Sequence, residues 1–268
     1  MPSDPLAALL DLPGVAGAVD GARSAVDGVL WDRAVRARVT EVVAASRLRG
    51  AWASAAIDGA EVRPDALVSG DALDGSPIGR VVAASLALQA EIPAQVDAFG
   101  RSPLQVLSRL HSVVSVGFVD NGVRGRVRTE EAPDADDPLR LGGLPEPVDA
   151  ARRMTALAGV LTRPTAAPAL VVAAVAHAEV AVTRPFAWGS GLLARSVTRL
   201  VLAARGVDPD GVTVPEAGLF AAGRSAYAEA LRAYASGDPD GVARWLVLHA
   251  ETVRVGAEEA RRILADLP

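Results

Sequence analysis

Cysteine is absent from the 268-residue chain, which excludes disulfides, thiolate metal sites and a cysteine nucleophile together. Lysine is absent too, so every basic charge is an arginine. That removes a lysine Schiff base and the lysine of a phosphate-binding P-loop. Aromatic residues make up only 4% of the chain, so packing must come from close approach of Ala- and Val-faced elements rather than from large rings. Long apolar runs are also missing. The most apolar segment, Ala166–Val182, is interrupted by Pro168, His177 and Glu179 and is too short to span a bilayer. The first residues carry no positive region ahead of an apolar stretch, so no secretory signal is expected. A formal charge of −5 argues against nucleic-acid binding. The expectation is a cytoplasmic protein with neither nucleic-acid nor membrane partners.

Half of the residues are apolar, enough for a substantial core. Helical spacing dominates: Trp31–Arg49 places Val35, Val39, Val42, Val43 and Ala45 on one side and arginines on the other. Further helices are expected at Ile78–Ala90, Ser102–Val116 (Ser102 as cap), Val148–Leu161, Ala169–Val182, Gly191–Ala204, Gly218–Ser236 and Asp240–Leu264. The exception is Gly117–Thr129. There the chain's single asparagine, in Asn121-Gly122, sits between Val and Phe residues and predicts a β-hairpin. Glu130–Pro147, rich in Asp, Pro and Gly, reads as an exposed loop. The expected architecture is all-α with a small β-hairpin.

Between the helices at 169–182 and 191–204 runs Thr183-Arg-Pro-Phe-Ala-Trp-Gly-Ser-Gly-Leu-Leu-Ala-Arg195. A Gly-rich turn before a helix can hold an anion, because the helix N-terminus presents unpaired amides and a positive dipole end. Gly189, Ser190 and Gly191 supply the turn, Ser190 is a candidate cap, and Arg195 adds charge one turn further in. By itself Gly-Ser-Gly before a helix is more often an ordinary capped turn. Read with His177-Ala178 on the preceding helix, the segment resembles the active-site loop of Fic (Fido-fold) proteins, His-Pro-Phe-x-(Asp/Glu)-Gly-Asn-Gly-Arg-x-x-Arg. Pro185, Phe186, Gly189, Gly191 and Arg195 match in register without a gap. Weaker likenesses flank it. Arg109-Leu110-His111 and the expected hairpin resemble the target-docking flap region. Tyr227, Leu231, Tyr234 and Gly237-Asp238 before Trp245 resemble the C-terminal helices of larger bacterial members. Ser54-x-x-x-Asp58-Gly59 resembles the inhibitory motif Ser/Thr-x-x-x-Glu-Gly/Asn.

The resemblance implies the Fic helical fold and, for the family, transfer of AMP from ATP to a target hydroxyl. Its loop supplies a histidine base, an acidic ligand for Mg²⁺ and phosphate-holding Asn, Gly and Arg residues. Here Arg184 stands at the base position, and a guanidinium with a pKa above about 12 accepts no proton near neutrality. The loss of a general base is typically worth about 10²–10⁴-fold in rate. Trp188 stands at the metal position and offers no oxygen ligand. Ser190 replaces the Asn, and Leu192 replaces an Arg. No catalytic residue and no metal ligand is assigned; His177, His111 and His249 read as packing residues and Glu179 as an exposed helix carboxylate. The residues left for nucleotide or other anions are Gly189, Ser190, Gly191 and Arg195, with Ser54 and Asp58 as inhibitory residues. Asp58 either pairs with Arg195 or merely ends its helix.

The expectation is a degenerate Fic-like binding or regulatory module with no assigned cofactor. Its partner would be another protein docked at the hairpin, and a homodimer is left open. The alternative is a protein adenylyltransferase that uses ATP and Mg²⁺ through an unconventional site. Residues 1–95 would form an N-terminal helical region with the inhibitory-like segment. Residues 96–268 would form the Fic-like core and C-terminal helices.

Overall fold

Spacing of small apolar residues sets the architecture. The computed structural model describes residues 4–268, and among them a short 3₁₀ turn at Ala7–Asp11 precedes twelve α-helices. They are α1 (Val15–Leu30), α2 (Arg33–Ala37), α3 (Val39–Ile57), α4 (Pro64–Ser69), α5 (Pro77–Phe99), α6 (Pro103–Val114), α7 (Pro147–Thr162), α8 (Ala169–Thr183), α9 (Ser190–Ala204), α10 (Pro215–Ala222), α11 (Arg224–Ala235) and α12 (Pro239–Asp266). The fold is all-α, as expected. Among the described residues no helix is long and apolar enough to cross a membrane.

α8 is the central element. Its Ala and Val residues are buried nearly all round, so it carries no polar face and packs against α7, α9, α11 and α12. α1 lays Val15, Val19, Ala22, Val26 and Val29 against α12. One apolar core runs from Leu6 to Ile263 and draws on residues from both the 1–95 and 96–268 regions. Close helix approach depends on glycine at α10–α12. A Cβ on Gly218 would lie 2.1 Å from the Thr252 carbonyl oxygen and 2.6 Å from its Cα. Gly218→Ala must push α10 off α12, and a loss of about 1–3 kcal/mol is expected in urea denaturation; an unchanged midpoint would contradict this packing. A buried ion pair ties the same region together. Arg199 of α9 meets Glu216 of α10 at 2.7 and 2.8 Å, and Gln89 of α5 donates to Glu216 at 2.8 Å.

Several expectations are corrected. The helix expected at 31–49 breaks at Arg38, whose φ of −123° is not helical, and then continues to Ile57. α5 runs through Pro93 to Phe99 instead of ending before it. The helix expected at 218–236 is divided at Gly223, with φ 88°. Ser102 and Ser190 make no capping bond; Gly189, not Ser190, is the N-cap of α9. The hairpin does not form. Residues 115–132 hold only two isolated bridges, Val116 with Val119 and Thr129 with Ala132. A type I′ hairpin needs positive φ at both Asn121 and Gly122, but here the positive φ angles fall at Gly117 and Gly125. The segment is shaped from below: the His111 Nδ1 accepts the Gly125 amide at 2.8 Å.

Candidate functional site

The loop after α8 starts with a sharp reversal. Arg184 caps α8 in the left-handed region, φ 42° and ψ 63°, an uncommon conformation for a residue with a side chain. Buried Arg128 holds it there. The Arg128 guanidinium donates to the carbonyls of Arg184 (2.7 Å), Thr183 (3.1 Å), Pro145 (3.0 Å) and Pro133, and its amide donates to the Pro185 carbonyl (2.9 Å). Phe186 then enters the core and stacks on His111, centroids 4.3 Å apart. Trp188 turns toward the segment after α6 and stacks on Phe118, centroids 3.6 Å apart and planes within 6°. Gly189, with φ 76°, lets the chain enter α9.

Arg195 points back from the first turns of α9 into the interior, 1% exposed. Its Nε donates to Ser54 Oγ at 2.6 Å. One terminal nitrogen donates to the Ser54 carbonyl at 3.1 Å and to Asp58 Oδ2 at 2.7 Å. Of the two readings of Asp58, pairing with Arg195 is therefore the one present. Ser190 Oγ donates to the Phe186 carbonyl at 3.3 Å and is buried, so it closes the loop on itself.

The three histidines are buried and held neutral. Burial lowers His111 to about 4, opposed by the Trp188 carbonyl, and lowers His249 to about 3. His177 is pushed well below its usual value by burial, with nearby His249 and Arg195 adding to the effect. His177 bridges Tyr227 OH (2.7 Å) and Thr198 Oγ1 (3.0 Å), and Thr198 continues to His249 Nε2 (3.0 Å). Both nitrogens of His177 are thus committed to the packing of α8, α9, α11 and α12, and neither is free as a base. Burial raises Tyr227 to about 12. Glu179 is not an open carboxylate either. It takes a two-pronged contact from Arg153, at 2.8 and 2.8 Å, and accepts from Tyr234 OH at 2.8 Å.

Two residues with no sequence signal complete the site. The Glu130–Pro147 loop is exposed over Glu130–Asp134 but turns inward from Ala135 to Leu139, which corrects the expectation of a simple exposed loop. Asp136 Oδ1 accepts the Gly189 amide at the N-terminus of α9 (3.1 Å), and the Asp136 amide donates to the Ala187 carbonyl (3.0 Å). Asp137 pairs with Arg184 at 2.9 Å and also accepts the amides of Leu141 and Gly142. The second arm of Arg184 donates to the Gly142 carbonyl. Burial pushes the Asp136 carboxyl up to about 7. The Gly189 amide works against the shift, Asp58 adds to it, Arg195 opposes it and Asp137 adds slightly.

Mg²⁺–ATP does not fit the side chains as they stand. Trp188 supplies no oxygen, Ser190 is turned onto Phe186, Arg184 is neutralised by Asp137, and a carboxylate already caps α9. Among the described residues no group of three or more His, Asp or Glu side chains is arranged to hold a metal.

No family model matches the sequence, and no curated protein matches it either. Solved structures do match in shape. A Fic family protein from Desulfovibrio desulfuricans G20 superposes with a TM-score of 0.74 at 18% identity, over 96% of this chain and 76% of that one. Fic-1 from C. elegans superposes with a TM-score of 0.65 at 17% identity, over 92% of this chain and 73% of that one. The chain therefore has the fold of Fic family proteins.

Proposed function

We propose that this chain is a degenerate Fic-family protein that does not transfer AMP and serves as a binding or regulatory module for another protein. The observation that carries this reading is Arg184. At the position where the resemblance implies a general base, a buried guanidinium is fixed in an ion pair with Asp137. It cannot take a proton from a hydroxyl, and the three histidines that could replace it are buried in the core. Without a bound nucleotide, Gly189, Ser190, Gly191 and Arg195 remain as anion-holding groups rather than as a catalytic loop.

The partner surface we favour is the groove of about 580 Å³ between Phe118–Asp120 and Glu131–Asp134, floored by Ala187. Asp120, Glu131 and Asp134 line it, so a partner segment carrying arginine or lysine suits it. Docking by strand addition is disfavoured, because no strand edge is preformed there.

A second reading, protein adenylyltransferase with ATP and Mg²⁺, is favoured by one observation. The Ser54–Asp58–Arg195 contact keeps the arrangement that the resemblance assigns to inhibition, and a dead site has no need of an inhibitor. Incubating the purified protein and a cell lysate with labelled ATP and Mg²⁺ or Mn²⁺ separates the two. No labelling of the protein or of lysate proteins is expected, with or without Asp58→Ala. Labelling by the wild type or by Asp58→Ala would reverse the order of the two readings.

A further inference from the structure

The misfit between the loop and a nucleotide has an internal cause, because the chain supplies the loop with its own anions. Helix geometry leaves the amides of Ser190, Gly191 and Leu192 without intrahelical partners, next to the Gly189 amide that Asp136 takes. Arg195 adds a second, independent indication. One of its terminal nitrogens is buried without a partner and lies 3.4 Å from where a Cβ on Gly191 would be, so it faces the same first turn. The Nε of Arg184 is also buried and unpartnered. The first turn of α9 thus holds amides and guanidinium nitrogens without acceptors, with the Asp58 carboxylate beside them.

Two of the loop's present acceptors, Asp136 and Asp137, come from one short segment. Its fastenings elsewhere are slight. Leu139 is buried, and exposed Arg224 and Arg232 donate to the carbonyls of Pro138 and Arg140. Arg140 itself sits at φ 55°, in the left-handed region that favours glycine, so the segment is closed against some backbone strain. The contacts that hold it onto the loop are the Asp136 bond to the Gly189 amide and the Asp137–Arg184 ion pair, which a more highly charged anion can replace.

We propose that Ala135–Gly142 is an intramolecular plug whose Asp136 and Asp137 carboxyl groups hold the Gly189 amide and Arg184 at the mouth of the loop, so that a phosphate-rich anion binds there only by displacing them. The inference rests on the reading of Gly189, Ser190, Gly191 and Arg195 as anion-holding groups, and it names what regulates them. Pyrophosphate is the probe. It offers more negative charge and more acceptor oxygens than one carboxyl group does.

Calorimetric titration of the full chain with pyrophosphate tests it. If the closed plug is populated about nine times in ten, Asp136→Ala/Asp137→Ala should bind about tenfold more tightly than the wild type. Equal or weaker binding by the variant, or no binding by either protein, overturns the proposal. Should the variant fail to fold, hydrogen exchange of the wild type reads the same competition. The Asp136 amide, now bonded to the Ala187 carbonyl of the loop, should exchange faster in millimolar pyrophosphate, and unchanged exchange overturns it. Failure here leaves the ATP-labelling result untouched, whereas labelling would overturn the non-transferase reading without bearing on the plug.

Discussion

Asp58→Ala is expected to destabilise the fold by about 3–5 kcal/mol. Arg195 is 1% exposed and Asp58 is the carboxylate within reach of it, at 2.7 Å. Removing Asp58 strands a guanidinium in a low-dielectric interior, where it cannot lose its charge. Ser54 continues to accept two of its bonds, from Nε and a terminal nitrogen, but supplies no negative charge. Asp58→Asn keeps an acceptor oxygen and loses only the charge, so it should cost roughly half as much. Ser54→Ala removes one hydroxyl bond and should cost about 1–3 kcal/mol. Urea denaturation of the three variants gives the order directly. A cost below about 1 kcal/mol for Asp58→Ala would mean that water reaches Arg195, and that the pair is not the structural link between α3 and α9 described above.

The same residues show why part of the site was legible in the sequence. Pro185, Phe186, Gly189, Gly191 and Arg195 lie within a single turn-and-helix unit, so their spacing survives whatever surrounds it. Asp58 was legible because its partner position was fixed by that unit. Asp136 and Asp137 had no such handle. They sit among Glu130, Glu131 and Asp134 in one acidic stretch, and only the packing of that stretch over Ala187 and Gly189, more than fifty residues on, distinguishes them. Arg128 was hidden for the same reason, because its role is to gather carbonyls from three separate turns. The hairpin failed in the opposite direction. Asn121-Gly122 is a strong local signal, but contact of Gly125 with His111 and of Arg128 with Pro185 sets the path of the segment, and tertiary contacts override the local preference. The first long helix went unread because Gly17, Gly21 and Gly28 dilute its helical propensity, although Val15, Val19, Ala22, Val26 and Val29 keep the spacing.

Asp136→Asn is expected to stabilise the protein, and increasingly so as pH rises. The native carboxyl titrates at about 7, against 3.8 for an unperturbed aspartate. Between these values the folded state holds a proton that the unfolded state has released. The wild type therefore loses stability through this group as pH rises from about 4 to 7, and the loss levels off above 7. The full separation corresponds to a ceiling of about 4 kcal/mol, and because Asp136 is only partly buried as a residue, screening by water brings the expected gain nearer 2 kcal/mol at pH 8. Asparagine retains an oxygen for the Gly189 amide, so the gain comes from removing the charge, not from a new contact. Denaturation midpoints of wild type and variant at pH 4, where they should coincide, and at pH 8, where the variant should lead, measure it. A difference independent of pH would show that the carboxyl is not held protonated. Asp58 is one of the charges raising Asp136, so the two sites are coupled. In an Asp58→Asn background the advantage of Asp136→Asn should shrink, giving a non-zero coupling energy in the double-mutant cycle. Strictly additive effects would place the two carboxyl groups in separate environments.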